Sequence, residues 1–73
     1  MSKRGTVQTF AERVRDARSD KGYSQTDLAK ACGMVPSAIN HYEAARHTPT
    51  LDSLCKIAIA LGVTTDWLLG IDG

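Results

Sequence analysis

The sequence predicts a small all-α domain of five short helices. Apolar residues recur at helical spacing through most of the chain, residues that cap helices precede these apolar stretches, and glycine follows several of them. At 73 residues, the chain is long enough for one small domain and too short for two. The core is therefore expected to be compact and to consist mainly of Leu, Ile, Val and Ala.

The first helix is predicted to begin at Thr9, because Thr9 and Glu12 have the spacing of a capping box. Residues 1–8 lack helical periodicity and are expected to form an N-terminal arm, so that 9–73 make up the folded domain. The buried face of this helix is predicted to contain Phe10, Val14 and Ala17.

The central stretch, residues 24–45, is predicted to form two short helices joined by a tight turn. Ser24 and Asp27 fit a capping box at the start of the second helix. Gly33 is placed to end that helix in the left-handed conformation. Pro36 begins the third helix at its first position, where the missing N–H of proline costs nothing.

The third helix is expected to have one apolar and one polar face. Ile39 and Tyr42 face inward in this prediction, which leaves Ser37, Asn40 and His41 on the outward face. A short helix behind a glycine turn, with uncharged polar groups on its outer side, is typical of a DNA recognition helix.

Two further helices are predicted in the C-terminal third. Thr50 caps the fourth and Gly62 ends it, while Thr64 begins the fifth. In the fifth helix, either Trp67 or Leu68 is expected to fill the core. The core face of the fourth helix is predicted to contain Leu51, Leu54, Ile57, Ala58 and Leu61.

The chain from about Phe10 to Leu69 resembles the phage Cro/repressor type of helix-turn-helix domain, the lambda repressor-like fold. The resemblance implies a compact five-helix domain that binds duplex DNA sequence-specifically as a transcriptional regulator, repressor-like and without catalysis. It rests on the joint register of Gln25, Leu28, Ala29, Gly33, Ile39, Tyr42, Glu43, Pro49, Leu54, Ala58, Leu61, Gly62, Val63, Asp66, Trp67 and Leu68.

The resemblance also implies roles for individual residues. An ion pair between Arg18 and Glu43 would join the first helix to the recognition helix. Asn40 can pair bidentately with adenine, whereas Pro36 offers only apolar contact, for example with a thymine methyl group. The predicted base-reading residues are Pro36, Ser37, Asn40 and His41. The predicted phosphate-binding residues are Ser24, Gln25, Arg46 and His47.

Two expectations concern the end of the third helix and the end of the domain. Where relatives usually have Asn-Gly or Arg-Gly, this chain has Ala44-Ala45, and because alanine avoids the left-handed region the helix is expected to run further. Apolar residues near the C-terminal end form either a homodimer surface or the rest of a monomer core. These residues are Ile59, Trp67, Leu69 and Ile71.

The charges of the chain are unevenly distributed along the sequence. The net charge is +1, but residues 1–46 carry eight Lys or Arg against five Asp or Glu, while residues 47–73 carry one against three. The basic half contains the predicted recognition helix, which favours phosphate binding. No membrane span or signal peptide is recognised, so a cytoplasmic protein is expected.

The two cysteines, Cys32 and Cys55, follow no metal-ligand spacing and are interpreted as reduced thiols in apolar helix patterns. A zinc site combining them with His41 and His47 is the alternative, but no local ligand pair supports it. No cofactor, metal or small-molecule ligand is expected.

The alternative to DNA binding is a protein-interaction module, such as an antitoxin-like or accessory subunit. Enzymatic activity is not expected, because the sequence shows no arrangement of a nucleophile with a general base.

Overall fold

The computed structural model describes residues 6–71. Within that range it contains five α-helices and no strand, which confirms the predicted all-α fold class. In the same range, no helix is both long and apolar enough to cross a membrane. The helices are α1 (Val7–Asp20), α2 (Gln25–Cys32), α3 (Pro36–Glu43), α4 (Leu51–Leu61) and α5 (Thr65–Leu69).

The core lies where α1 packs against α3, α4 and α5, while α2 packs between α3 and α4. Every helix contributes to it, so the short α2 and α3 are held by tertiary packing that isolated helices of their length would lack. The largest fully buried side chains are Phe10, Val14, Leu28, Ile39, Ile57 and Leu68. The predicted buried face of the first helix, Phe10, Val14 and Ala17, is confirmed.

The predicted start of α1 at Thr9 was wrong, because the helix begins at Val7 with Thr6 as its N-cap. The Thr6 hydroxyl accepts the backbone N–H of Thr9 at 3.0 Å. Thr9 is itself buried, and its hydroxyl lies 2.8 Å from that of Thr6. Either threonine side chain could cap a helix. With Thr6 as the N-cap, Thr9 lies inside the helix and its side chain is buried, so packing favours the earlier cap. Residues 1–5 of the predicted arm lie outside the described range.

The predicted caps of α2 are confirmed. Ser24 and Asp27 form a capping box, in which Asp27 N–H donates to the Ser24 hydroxyl at 3.0 Å and Ser24 N–H donates to the Asp27 carboxylate at 2.9 Å. Gly33 ends the helix at a φ of +71°, a conformation that favours glycine. This sharp turn allows α3 to begin at Pro36, only three residues later.

The expectation that α3 would run further past Ala44-Ala45 was wrong. The helix ends at Glu43, and Ala45 adopts the left-handed conformation with a φ of +58°. Arg46 N–H donates to His41 C=O at 3.0 Å, and Ala45 N–H donates to Tyr42 C=O at 3.1 Å. This is the hydrogen-bond pattern of a Schellman motif, which satisfies carbonyls at the helix end.

The predicted cap of α4, Thr50, is confirmed. Thr64, predicted to begin the fifth helix, is its N-cap, and α5 begins at Thr65. The prediction that Leu51 belongs to the core was wrong, since the residue is 81% exposed. Helical side chains point back towards the N-terminus, so a residue in the first turn reaches past the end of the packed core. The other four residues predicted for this face, Leu54, Ile57, Ala58 and Leu61, are buried.

Candidate nucleic-acid interface

The N-terminus of α2 lies at Ser24 and Gln25, where the first backbone N–H groups of a helix have no carbonyl partner one turn earlier. These groups carry the partial positive charge of a helix N-terminus, which suits an anion such as phosphate. Two hydrogen bonds from Ser24, one from its backbone and one from its side chain, hold the pKa of Asp27 below its usual range. The capping carboxylate is therefore charged at neutral pH, which keeps the first turn of α2 in place.

The outward face of α3 is open. Pro36, Ser37 and Asn40 are exposed, while Ile39 on the opposite side is fully buried. Val35 occupies the N-cap and makes no side-chain hydrogen bond there, because its side chain is a hydrocarbon. Tyr42 is half-buried, and its ring meets that of Phe10 in an edge-to-face arrangement with centroids 5.8 Å apart. The apolar face of α3 is thus packed in the core, and its polar face remains exposed.

His41 and His47 meet where α3 ends and the following loop begins. Their rings are arranged edge to face, with centroids 4.8 Å apart. His41 is half-buried by the described part of the chain, whereas Arg46 and His47 are exposed. The left-handed turn at Ala45 brings these two loop residues back beside the end of the helix. His41, predicted to read bases, and His47, predicted to bind phosphate, are therefore neighbours.

A buried ion pair supports this surface from behind. Arg18 Nε donates to Glu43 Oε2 at 2.6 Å, and Arg18 Nη2 donates to Glu43 Oε1 at 3.1 Å. A third hydrogen bond, from Arg18 Nη1 to the Tyr23 carbonyl at 2.7 Å, fixes the guanidinium. The hydrogen bond to the Glu43 carboxylate raises the pKa of Arg18 further above its usual range, so Arg18 stays positively charged. The ion pair implied by the family resemblance is therefore present.

The same carboxylate contacts the predicted phosphate-binding residue on α2. Gln25 Nε2 donates to Glu43 Oε1 at 3.2 Å. Gln25 Oε1 in turn accepts a hydrogen bond from Asn40 Nδ2 at 3.4 Å. A continuous series of polar contacts therefore runs from Arg18 on α1 to Asn40 on the outward face of α3. We call these four residues, Arg18, Glu43, Gln25 and Asn40, the polar relay.

The residues predicted as a dimer surface lie on α4, on α5 and just beyond α5. Ile59 is 79% exposed and Ile71 is 49% exposed. Leu68 fills the core, while Trp67 and Leu69 are half-buried and pack against it. Only two of the four predicted residues are thus strongly exposed.

Arg13 covers part of Trp67. Its guanidinium carbon lies 4.8 Å from the centroid of a Trp67 ring, and Arg13 Nη1 donates to the Trp67 carbonyl at 2.8 Å. This cation–π contact joins α1 to α5. It was not predicted, since the two residues are 54 positions apart and no spacing rule connects them.

The His41–His47 contact and the link from Gln25 to Asn40 were also missed at the level of the sequence. Each depends on how α2, α3 and the following loop approach one another. The family resemblance indicated a phosphate contact for Gln25 and did not identify its partner on α3. Within residues 6–71, no cluster of three or more metal-ligating side chains is present.

Comparison with known proteins places this geometry among helix-turn-helix proteins. A profile of the family described as "Helix-turn-helix" matches residues 14–68. The SPbeta prophage-derived HTH-type transcriptional regulator YonR of Bacillus subtilis is 40% identical over 60 residues, which cover 82% of this chain and 56% of YonR. Multiprotein-bridging factor 1 of Saccharomyces cerevisiae is 49% identical over 50 residues, covering 68% of this chain and 33% of that protein.

Among solved structures, the DNA-binding domain of the P22 C2 repressor superposes with a TM-score of 0.79 at 30% identity. The match covers 82% of this chain and 79% of that domain. The chain spans about half the length of the curated regulators it matches, 56% of YonR and 50% of the HTH-type transcriptional regulator ImmR of Bacillus subtilis.

Proposed function

The chain belongs to the helix-turn-helix family, in its lambda repressor-like branch, and we propose that it binds duplex DNA sequence-specifically as a transcriptional regulator of repressor type. The observation that carries this proposal is the outward face of α3, where Ser37 and Asn40 are exposed while Ile39 anchors the helix in the core. With its side chains, an α-helix such as α3 is about 10–12 Å in diameter. The major groove of B-DNA is about 12 Å wide and admits an α-helix.

In this proposal the outward face of α3 reads base edges. Asn40 and Ser37 form hydrogen bonds with bases, and His41 donates or accepts according to its tautomer. Pro36 contributes apolar contact alone, so hydrogen-bonded readout depends on the residues that follow it. No catalytic step is proposed.

Phosphates are bound on either side of this face. Gln25 and Ser24 stand at the N-terminus of α2, where free N–H groups and the helix dipole attract an anion. Arg46 and His47 stand in the loop after α3 and are exposed. Contacts of this kind fix the register of a protein on DNA without reading sequence.

We further propose that two copies bind an inverted repeat. The apolar residues Ile59 and Ile71, together with the half-buried Trp67 and Leu69, form the contact between copies. A two-fold dimer would place the recognition helices about 34 Å apart on one face of the DNA. Sedimentation of the protein, free and on a duplex with two half-sites, tests this arrangement. A strict monomer under both conditions contradicts it.

Selection of bound duplexes from a random pool tests DNA binding, base preference and half-site symmetry together. The expected result is an enriched inverted repeat with half-sites about one helical turn apart. The double variant Ser37→Ala/Asn40→Ala is expected to lose the base preference, and Ser19→Ala, an exposed serine on α1, serves as the matched control. No enrichment at low salt would overturn the proposal.

A second candidate function is a protein-interaction module. One observation favours it: α4 carries an exposed apolar stripe at i, i+4 and i+8 made of Leu51, Cys55 and Ile59. A groove of about 210 Å³, lined in part by Phe10 and Leu69, opens beside Leu51. A salt titration of DNA affinity separates the two functions. A phosphate-binding protein loses affinity steeply as salt rises, whereas a protein-interaction module shows no specific DNA binding to lose.

A further inference from the structure

We propose that His41 and His47 together bind one divalent late transition-metal ion, such as Zn²⁺, Ni²⁺ or Cu²⁺, at the C-terminal end of α3. No metal is expected from the sequence, so this site goes beyond the proposed function. The site itself does not depend on DNA binding. Only its effect on DNA rests on the proposed function.

The turn after α3 holds the two histidines together. Ala45 has a φ of +58°, and this left-handed residue reverses the chain. Arg46 N–H donates to the His41 carbonyl at 3.0 Å, and Ala45 N–H donates to the Tyr42 carbonyl at 3.1 Å. Because His47 directly follows Arg46, its backbone is placed by the helix end before any metal binds. A site whose backbone is already in place loses less entropy on binding.

The two rings have the separation that a shared metal requires. Imidazole nitrogen binds Zn²⁺ at about 2.0–2.1 Å, which places the centroids of two imidazoles on one tetrahedral ion about 5 Å apart. The centroids of His41 and His47 lie 4.8 Å apart, with an interplanar angle of 78°. His47 is exposed, and the last torsion of histidine is broad, so its ring can turn to present either edge. No backbone movement is therefore needed for both rings to reach one ion.

Imidazole as a ligand selects the class of metal. Imidazole suits Zn²⁺, Cu²⁺ and Ni²⁺, whereas Mg²⁺ and Ca²⁺ prefer oxygen ligands. Glu43, the carboxylate nearest to His41 in the sequence, uses its oxygens to accept hydrogen bonds from Arg18 and Gln25. Residues 6–71 contain no cluster of three or more metal-ligating side chains, so within them neither cysteine adds a third ligand.

With two ligands from the protein, the ion keeps positions that are filled by water. Water in such open positions can be replaced by another ligand, as it is at catalytic zinc sites. Arg46 repels the ion, but its side chain is exposed, so water and salt screen the repulsion. The site is therefore expected to bind metal reversibly and to leave room for an oxygen or nitrogen atom of a further partner.

A metal at this place would change how the surface meets DNA. In the proposed function, His41 reads bases and His47 binds phosphate, so the ion lies between the two contacts. A metal-bound imidazole keeps a proton on its other nitrogen, which makes His41 a donor only. Guanine N7 and O6 and thymine O4 are acceptors in the major groove. The metal therefore favours these bases opposite His41, and its positive charge attracts phosphate.

Calorimetric titration with Zn²⁺ tests the site on the free protein. Every variant also carries Cys55→Ser, so that the exposed thiol on α4 binds no metal. One ion per chain is expected. His41→Gln or His47→Gln alone is expected to weaken binding by about 100-fold or more, because a second ligand on the same molecule raises affinity by about 10²–10⁴. Thr48→Ala, an exposed neighbour of His47, is the matched control and leaves metal binding unchanged.

The ring nitrogens give a second readout, because the chain contains two histidines and both belong to this pair. In a long-range ¹H–¹⁵N spectrum, Zn²⁺ is expected to shift one nitrogen of each ring, and both shifts should saturate together. Backbone resonances check that each variant is folded. Unchanged ring resonances in the folded protein would show that the rings only pack against each other, which overturns the site. A single variant that keeps wild-type affinity would show that the rings bind metal independently, which overturns the shared ion.

Fluorescence anisotropy of a selected duplex, with and without Zn²⁺, tests the effect on DNA. Zn²⁺ is expected to strengthen binding and to steepen the slope of log affinity against log salt by about one to two, since the ion neutralises additional phosphate charge. The effect should disappear in His47→Gln. Weaker DNA binding with Zn²⁺ overturns the effect on DNA and leaves the site standing. If no duplex is bound under either condition, the proposed function fails, while the titration of the free protein still decides the site.

Discussion

Arg18 and Glu43 join α1 to the last turn of α3 through two hydrogen bonds, at 2.6 and 3.1 Å. Helix α3 has only eight residues and no side-chain cap at its start. A helix this short is marginal by itself, so its position depends on its packing and on this contact. The ion pair is therefore a structural element of the candidate DNA surface even though it lies behind it.

Arg18→Met is expected to lower the free energy of unfolding by about 3 kcal/mol, because it leaves the buried Glu43 carboxylate without its charged partner. This is the lower end of the range for breaking a buried pair, since 17% of the Arg18 side chain remains exposed. Urea denaturation followed by circular dichroism measures the change. Arg15→Met, which removes the same charge from an exposed site on α1, is the control and should change stability by less than about 0.5 kcal/mol.

A loss in Arg18→Met no larger than in Arg15→Met would show that the pair adds nothing to stability. The comparison is informative because both variants lose one positive charge and gain the same apolar side chain. Any difference between them therefore reports the contact with Glu43, and not the net charge.

Local signals predicted most of the helix ends. Ser24 with Asp27, Gly33, Pro36 and Thr50 were all assigned correctly, because a cap depends on a few neighbouring residues. The core stripes were likewise readable from helical spacing. The failures occur where two local rules compete or where packing decides. Thr6 and Thr9 both have capping chemistry, and only the buried environment of Thr9 distinguishes them.

The candidate site was less predictable than the fold. The residues on the outward face of α3 follow from its periodicity, but the contacts among them do not. Gln25 and Asn40 are 15 positions apart, and Gln25 and Glu43 are 18 apart, so both contacts exist only once α2 and α3 have packed. The preference of alanine against a positive φ also gave a wrong prediction at Ala45. The chain reverses direction there, and the turn imposes a positive φ on this residue.

Ala45→Gly is expected to stabilise the protein by about 0.5–1 kcal/mol. Alanine in the left-handed region is strained by about 1–2 kcal/mol, and glycine removes that strain at some cost in unfolded-state entropy. Elsewhere in the described range the residues with positive φ are all glycine, as at Gly33 and Gly62. The free energy of unfolding from urea denaturation is the measurement.

Ala44→Gly is the matched control, because Ala44 has a φ of −87° and is not strained. It should lower stability, since glycine only adds entropy to the unfolded chain there. Equal effects of the two substitutions would contradict the assignment of strain to Ala45.

The two thiols are expected to differ in reactivity. Burial raises the pKa of the Cys32 thiol, and a higher pKa means less thiolate at neutral pH, which is the reactive form. Cys32 Sγ also lies 3.8 Å from the Lys56 carbonyl inside the fold, whereas Cys55 is exposed on α4. Labelling with iodoacetamide followed by mass spectrometry should modify Cys55 first and Cys32 only after urea unfolds the chain. Rapid modification of folded Cys55→Ser would contradict this.

Arg46→Ala is expected to weaken binding to all duplex sequences alike and to reduce the slope of log affinity against log salt by about one. Arg46 is exposed in the loop after α3, where the left-handed turn at Ala45 brings it beside the recognition helix. The slope counts the counterions released when cations bind phosphates, so losing one phosphate contact lowers it by about one unit. Fluorescence anisotropy of labelled duplexes at several salt concentrations measures it. Arg15→Ala is the charge-matched control on α1 and should change the slope less. A loss confined to particular base sequences would instead make Arg46 a base-reading residue.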